Sequence, residues 1–240
     1  MTHACYPDWK GWTAADFGAC GRSESAYFAA ELRRCGVPLH AGMRVLEIGY
    51  GNGAFAGWAV RSGAAYLGVE AIPALVQCGR EKGFDVHGDD VPLSAIAAIG
   101  SVDVVIAFDV FAHLELPQLT DLLRAVRDTM KVGGRLVARV PSGDSPFARY
   151  VQHGDLTHLS TLGSSAVRQL ATATRFNVEQ LRAPVFPLRG GGPGAFLRRG
   201  LVVVGRALAY PIIARLFMGG GSPVLSPNML FVLERPADVA

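Results

Sequence analysis

The stretch RVLEIGYGNG, residues 44–53, decides the reading of this chain. Its first half is a short apolar run of strand length, and residues 54–61 read as a helix, so the glycines stand at a strand-to-helix turn. Glycine allows a tight turn and lets a ligand approach backbone that a Cβ would otherwise cover. The helix start beyond it points free N–H groups the same way. Working outward, strand and helix alternate. Residues 65–70 read as strand, 73–82 as helix with Pro73 in its first turn, and 84–87 as strand. The continuous apolar run VDVVIAF (102–108) reads as a strand covered on both faces. Helix 118–130, strand 135–140 after the breaker Gly133-Gly134, helix 164–174 and strand 178–186 follow. This rhythm predicts a doubly wound α/β fold, a parallel sheet with helices on both faces. Right-handed crossovers gather the strand C-termini on one edge, where ligands bind.

The 240 residues are 50% hydrophobic and 18% charged, which excludes a disordered chain, and a net charge of +3 gives no argument for nucleic acid. Cys5, Cys20, Cys35 and Cys78 form no C-x-x-C pair and read as reduced thiols of a cytoplasmic protein. MTHACYPDWKGW contains no apolar core segment, so no secretory signal is expected. Residues 1–42 read as a helical lead-in, with Ser23 and Ser25 as caps and Gly36-Val-Pro38 as the stop. The expected organisation is lead-in 1–42, core 43–187, a Gly-flanked apolar helical insertion 188–227, and a last strand with tail, 228–240. If strands 178–186 and 229–233 pair as a hairpin, the connection far exceeds a plain hairpin loop of about 2–5 residues. It therefore has a task of its own or is a spacer. Seven arginines against Glu234 and Asp238 make the chain from Arg182 onward strongly basic.

The acids at the strand ends narrow the ligand. Glu47, beside the glycine loop, disfavours a diphosphate and suits an ammonium group. Glu70 ends the second strand, where a carboxylate can hold both hydroxyls of a ribose. Asp89 closes the third strand, within reach of an adenine edge, and Asp109 closes the fourth. Gly49-x-Gly51-x-x-Ala54 also satisfies the dinucleotide fingerprint, with Glu70 about 20 residues on, which keeps a dehydrogenase open. No Tyr-x-x-x-Lys pair accompanies it.

Together, Glu47-x-Gly49-x-Gly51-x-Gly53, the acids at 70 and 89, and MKVGGRL (130–136) resemble the class I S-adenosylmethionine (SAM)-dependent methyltransferases over residues 44–186. The resemblance implies SAM as cofactor and a seven-stranded Rossmann-like sheet with an antiparallel terminal strand. It implies that Glu47, Gly49, Tyr50, Gly51, Asn52 and Gly53 hold the methionine end and that Glu70, with Ala71, binds the ribose. Asp89 and Asp90 then lie near the adenine, and Asp109 and Val110 complete the cofactor set. More narrowly, FDVFAHL (108–114), VPSGDSPF (140–147) and GDLTHLS (154–160) resemble methyltransferases of bacterial polysaccharide gene clusters. Ala112 in place of an acid and Ser142 in place of an Asn depart from that pattern.

Methyl transfer is an in-line displacement, so a protein chiefly aligns the acceptor within ~3–3.5 Å and removes its proton. His158, in the loop after the fifth strand, and His113, one turn beyond the fourth, are the candidate bases, with Asp155 expected to orient His158 and set its tautomer. Asp109, Asp155, His158 and His113 have no recognised ligand spacing, and no metal is expected. His3, His40, His87 and His153 read as surface residues. Pro146-Phe147-x-x-Tyr150 reads as an acceptor wall or as ordinary loop packing.

The expected function is O-methylation of a sugar hydroxyl on a cell-envelope polysaccharide or lipid-linked glycan. Two alternatives are methylation of a small lipophilic molecule such as a quinone or polyketide, and a non-catalytic SAM-binding partner subunit. The expected location is cytoplasmic. Residues 195–218 offer either a peripheral contact with the inner face of the membrane or a helix packed on protein.

Overall fold

The computed structural model describes residues 6–186, 193–219 and 223–237. His3, Cys5 and most of the two glycine runs flanking the insertion lie outside the described residues. Helices α1 (Tyr6–Lys10) and α2 (Arg22–Arg34) lead into β1 (Arg44–Ile48), α3 (Ala54–Arg61), β2 (Ala65–Glu70), α4 (Pro73–Glu81) and β3 (Val86–Gly88). There follow α5 (Leu93–Ile96), β4 (Val102–Phe108), α6 (Leu116–Thr129), β5 (Met130–Pro141), α7 (Arg149–Gln152), α8 (Ser164–Ala173), β6 (Asn177–Arg182), α9 (Pro193–Phe217) and β7 (Asn228–Glu234).

The seven strands form one sheet in the order β3-β2-β1-β4-β5-β7-β6. β3, β2, β1, β4 and β5 are parallel, and β7 runs antiparallel to both β5 and β6. The hairpin of the last two strands is present, and its second strand is inserted beside β5. β6 therefore points the same way as β1, and its end at Arg182 lies on the edge of the sheet that carries the glycine loop.

Strand alternation sends successive residues to opposite faces. Leu46, Val105, Leu136 and Met229 fill one layer with Phe111, Leu119 and Leu123. Val45, Ile106, Val137 and Leu230 fill the other with Phe28, Leu32 and Phe55. The lead-in thus contributes core residues to this layer: Phe17, Phe28, Leu32, Cys35 and Val37. Buried Glu31 of α2 pairs with Arg182 at 2.6 Å and accepts the Val185 N–H at 2.6 Å, which fastens the end of β6 to α2.

Local details differ from the sequence reading where a backbone partner outweighs a side-chain signal. Ser23 and Ser25 sit inside the first turn of α2. Gly21 is the N-cap, and its N–H donates to the Glu24 carboxylate at 2.9 Å. Gly133-Gly134 does not precede β5 but forms an irregularity within it, held by a pair of bonds with Arg235. The third strand starts at Val86, because Phe84 closes the turn after α4 by donating to Gly79. The sixth stops at Arg182 instead of running to 186, where the Glu31 pair holds the chain.

Candidate active site

The glycine loop between β1 and α3 is shaped by three left-handed residues, with φ of 69° at Gly49, 54° at Gly51 and 72° at Gly53. An L side chain at any of them is strained. Each glycine also faces a close neighbour. A Cβ at 49 would collide with Val110, one at 51 would stand 2.7 Å from Trp12, and one at 53 would stand 2.8 Å from Phe17. Asn52 turns inward to accept the Ala54 N–H at 3.3 Å, while its carbonyl accepts the Gly18 N–H at 2.9 Å.

Glu70 closes the loop from the neighbouring strand. One carboxylate oxygen accepts the Gly51 N–H at 3.0 Å, and the other accepts those of Ala71 and Ile72 at 2.9 and 3.1 Å. Burial raises its pKa above the usual carboxylate range, and the three backbone bonds oppose that. Asp89 and Asp90 are exposed just beyond β3, whose Gly88 pairs with Glu70 in register. Glu47 is only 4% exposed. Tyr66, two residues before its register partner Gly68, donates its hydroxyl to Glu47 at 2.7 Å. Burial pushes the Glu47 carboxyl up to about 8, the Tyr66 bond lowers it, and the charge of Glu70 raises it. At neutral pH the acid is therefore mostly protonated in the ligand-free protein, which revises the reading of Glu47 as a standing negative charge.

Two other predicted contacts are redirected. The Tyr50 ring does not face the crevice. It is buried edge-on against Phe17 at 5.9 Å, leaving backbone as what this residue can offer a ligand. Asp109 adopts a left-handed φ of 60°, and Arg139 takes both carboxylate oxygens, so its charge is already met. Arg139 also donates to the Tyr27 hydroxyl at 3.0 Å and lies over the Phe108 ring. Val110 makes the contact with Gly49 and ties the fourth strand end to the cofactor loop.

The two candidate bases meet. A 3-10 turn, Phe111–His113, follows β4. The loop after α7 is zipped onto it: Leu159 and Ser160 N–H groups both donate to the Ala112 carbonyl, and the Ser160 hydroxyl donates to that of Phe111. The rings of His113 and His158 stand 4.7 Å apart. His158 presents Nδ1 to the Gln152 carbonyl at 2.9 Å, which sets its proton on Nδ1 and its lone pair on Nε2. Asp155, expected to orient His158, serves the other histidine instead. It accepts the Thr157 hydroxyl at 2.5 Å, and Thr157 Oγ1 lies 2.9 Å from His113 Nδ1. Burial lowers the His113 pKa, as does the neighbouring His158, while Asp155 pulls it the other way. Although their chain spacing gives no metal signature, donor atoms of His113, Asp155 and His158 converge to within 4.8 Å of one another.

The lead-in supplies residues that the sequence reading did not assign to the site. Tyr6 donates to Asp155 at 3.1 Å and packs edge-on to His113 at 5.9 Å. Lys10 stands 3.9 Å from Asp155, and Trp12 covers Gly51. Their signal was the aromatic density of YPDWKGW. For Arg139 it was a cation in the apolar run LVARV (136–140), which calls for an acid nearby.

Residues 22–181 match the family model of a methyltransferase domain. The chain belongs to this methyltransferase family. Ubiquinone biosynthesis O-methyltransferase of Xanthomonas axonopodis pv. citri (strain 306) is 32% identical to it over 102 residues, 40% of this chain and 42% of that protein. The chain thus spans about two-fifths of the length of the curated relatives it matches. A SAM-dependent methyltransferase of Archaeoglobus fulgidus superposes with a TM-score of 0.61 at 18% identity, covering 88% of this chain and 94% of that one. One from Mesorhizobium loti gives 0.57 at 17%, covering 90% and 100%. The chain shares their Rossmann-like fold. The loop fits SAM, the ligand that the glycine motif implies: three glycines keep the backbone bare, Glu70 closes the loop from β2, and Glu47 can ionise toward an ammonium group.

Proposed function

We propose that the chain transfers a methyl group to a hydroxyl oxygen, with His158 as the base. The observation that carries this is the histidine pair, fastened one turn beyond Val110 and hence beside the glycine loop. Bound SAM supplies an activated methyl on a sulfonium. His158, with its tautomer set by the Gln152 carbonyl, takes the hydroxyl proton on Nε2 as the oxygen forms its bond to carbon. Burial lowers the His113 pKa, which disfavours a second positive charge beside the imidazolium that results. Glu47, Glu70 and the glycine backbone hold the cofactor end, with Asp89 and Asp90 beside the adenine.

Of the acceptors weighed from sequence, a small lipophilic molecule such as a quinone is favoured. The curated relatives are named for ubiquinone biosynthesis. A glycan hydroxyl rests on the short motifs at 108–114, 140–147 and 154–160 alone. Replacing His158 by Asn should lower turnover of a catechol-type acceptor by about 10²–10⁴-fold with S-adenosylhomocysteine affinity unchanged. Unchanged turnover would remove His158 from this role.

A further inference from the structure

Helix α9 runs for 25 residues, and the 22 from Phe196 to Phe217 are apolar enough to cross a bilayer, yet none of that apolar window is buried against the protein. We infer that α9 lies flat in the headgroup region of an anionic membrane. This inference stands apart from the choice of acceptor.

The topology decides between crossing and lying flat. β6 and β7 are antiparallel neighbours with Arg182 opposite Leu230, so the excursion leaves and returns at one edge of the sheet. A single crossing would deliver the chain to the far side. The residues between Phe217 and Asn228 would then have to recross hydrocarbon with backbone groups unpaired, which no bilayer accommodates. An in-plane helix needs no return crossing.

Its faces suit that position. At 100° per residue, Leu197, Leu201, Val204, Leu208 and Ile212 form one row about 22 Å long. All five are 57–67% exposed. Arg199 and Arg206 lie on the opposite side and face the domain, the first 3.4 Å from the Ser23 hydroxyl and the second over the Phe186 ring at 5.5 Å. The apolar row therefore points away from the protein.

Charge selects the occupant. Residues 183–227 carry five arginines (189, 198, 199, 206 and 215) and no acid. Arg199 and Arg206 are turned to the domain, so Arg198, on the flank of the apolar row, and Arg215, at its end, are the ones placed to meet anionic headgroups, whereas a second copy of this helix, which has no acid, would only bring like charges together. Arg215, near the end of the apolar face, can reach headgroups along its own aliphatic stem. Because β6 ends on the edge that carries the glycine loop, the bound helix holds the crevice at the membrane surface, where an acceptor dissolved in lipid could enter without crossing water.

The test is co-sedimentation of the full chain with sucrose-loaded vesicles of phosphatidylcholine, with or without one-quarter phosphatidylglycerol. The comparison variant is L201D/L208D, whose sites are exposed and outside the crevice. Wild type should bind the anionic vesicles, with partitioning at least about tenfold weaker on neutral vesicles and in the variant. Equal S-adenosylhomocysteine affinity in both proteins confirms that the variant is folded. Absence of vesicle binding, equal binding by the variant, or a solution dimer that the variant dissociates while vesicles capture neither would overturn the inference.

Discussion

Single residues set the cofactor loop. Gly51→Ala meets both a left-handed φ and the Trp12 ring, so it should cost about 1–2 kcal/mol in stability and a larger factor in S-adenosylhomocysteine affinity, read by urea titration and calorimetry. Gly49→Ala should be worse. Adding Val110→Ala should recover the part due to the clash and leave the backbone strain. Glu47 gives a pH signature. Its folded pKa of about 8 lies above the ordinary 4.5, so between these values the unfolded chain releases a proton that the folded chain keeps. Stability should therefore fall as pH rises through that window, and Glu47→Gln should flatten the slope. An ammonium ligand favours the ionised acid, so binding at pH 7 should release a proton. Calorimetry in two buffers of different ionisation enthalpy checks this, and E47Q should show no release. The glycines and both acids were legible because each stands at a strand end beside the loop. The raised pKa of Glu47 was not, because it comes from burial in the assembled sheet, which no local pattern shows.

Elements bring these residues together. The hold of β6 on α2 rests on a buried ion pair whose members have little water around them. Glu31→Ala leaves Arg182 uncompensated and should cost about 3–5 kcal/mol in denaturant unfolding, far more than loss of a surface pair such as Arg124–Asp121. His113 and His158 are 45 residues apart in the chain, and no local pattern announces that the loop after α7 bonds to the turn after β4. The same limit explains why Asp155 was matched to the wrong histidine: sequence adjacency pointed to His158, while the Thr157 hydroxyl relays it to His113. β2, β4, α3, α4 and α8, by contrast, were readable to within a residue from their apolar periods, while β3, β5 and β6 were not, because backbone partners elsewhere in the fold set their ends. The shortest pieces, α1, α5 and α7, have too few residues to show a period.

At the scale of the molecule, a parallel α/β sheet gathers its strand ends on one edge, and that rule alone placed Glu70, Asp89, Asp109 and both histidines in one crevice before any coordinates. It could not show that Tyr6 of α1 bonds Asp155 beside His113, or that the apolar row of α9 faces outward, because those depend on packing between distant segments. The account as a whole depends on SAM being held between the glycine loop and Glu70. Isothermal calorimetry of the purified chain with S-adenosylhomocysteine and, separately, NADH tests it most directly. One equivalent of S-adenosylhomocysteine should bind, Glu70→Gln should weaken it by about tenfold or more, and NADH should give no heat. No binding of S-adenosylhomocysteine, or equal binding of NADH, would contradict the account.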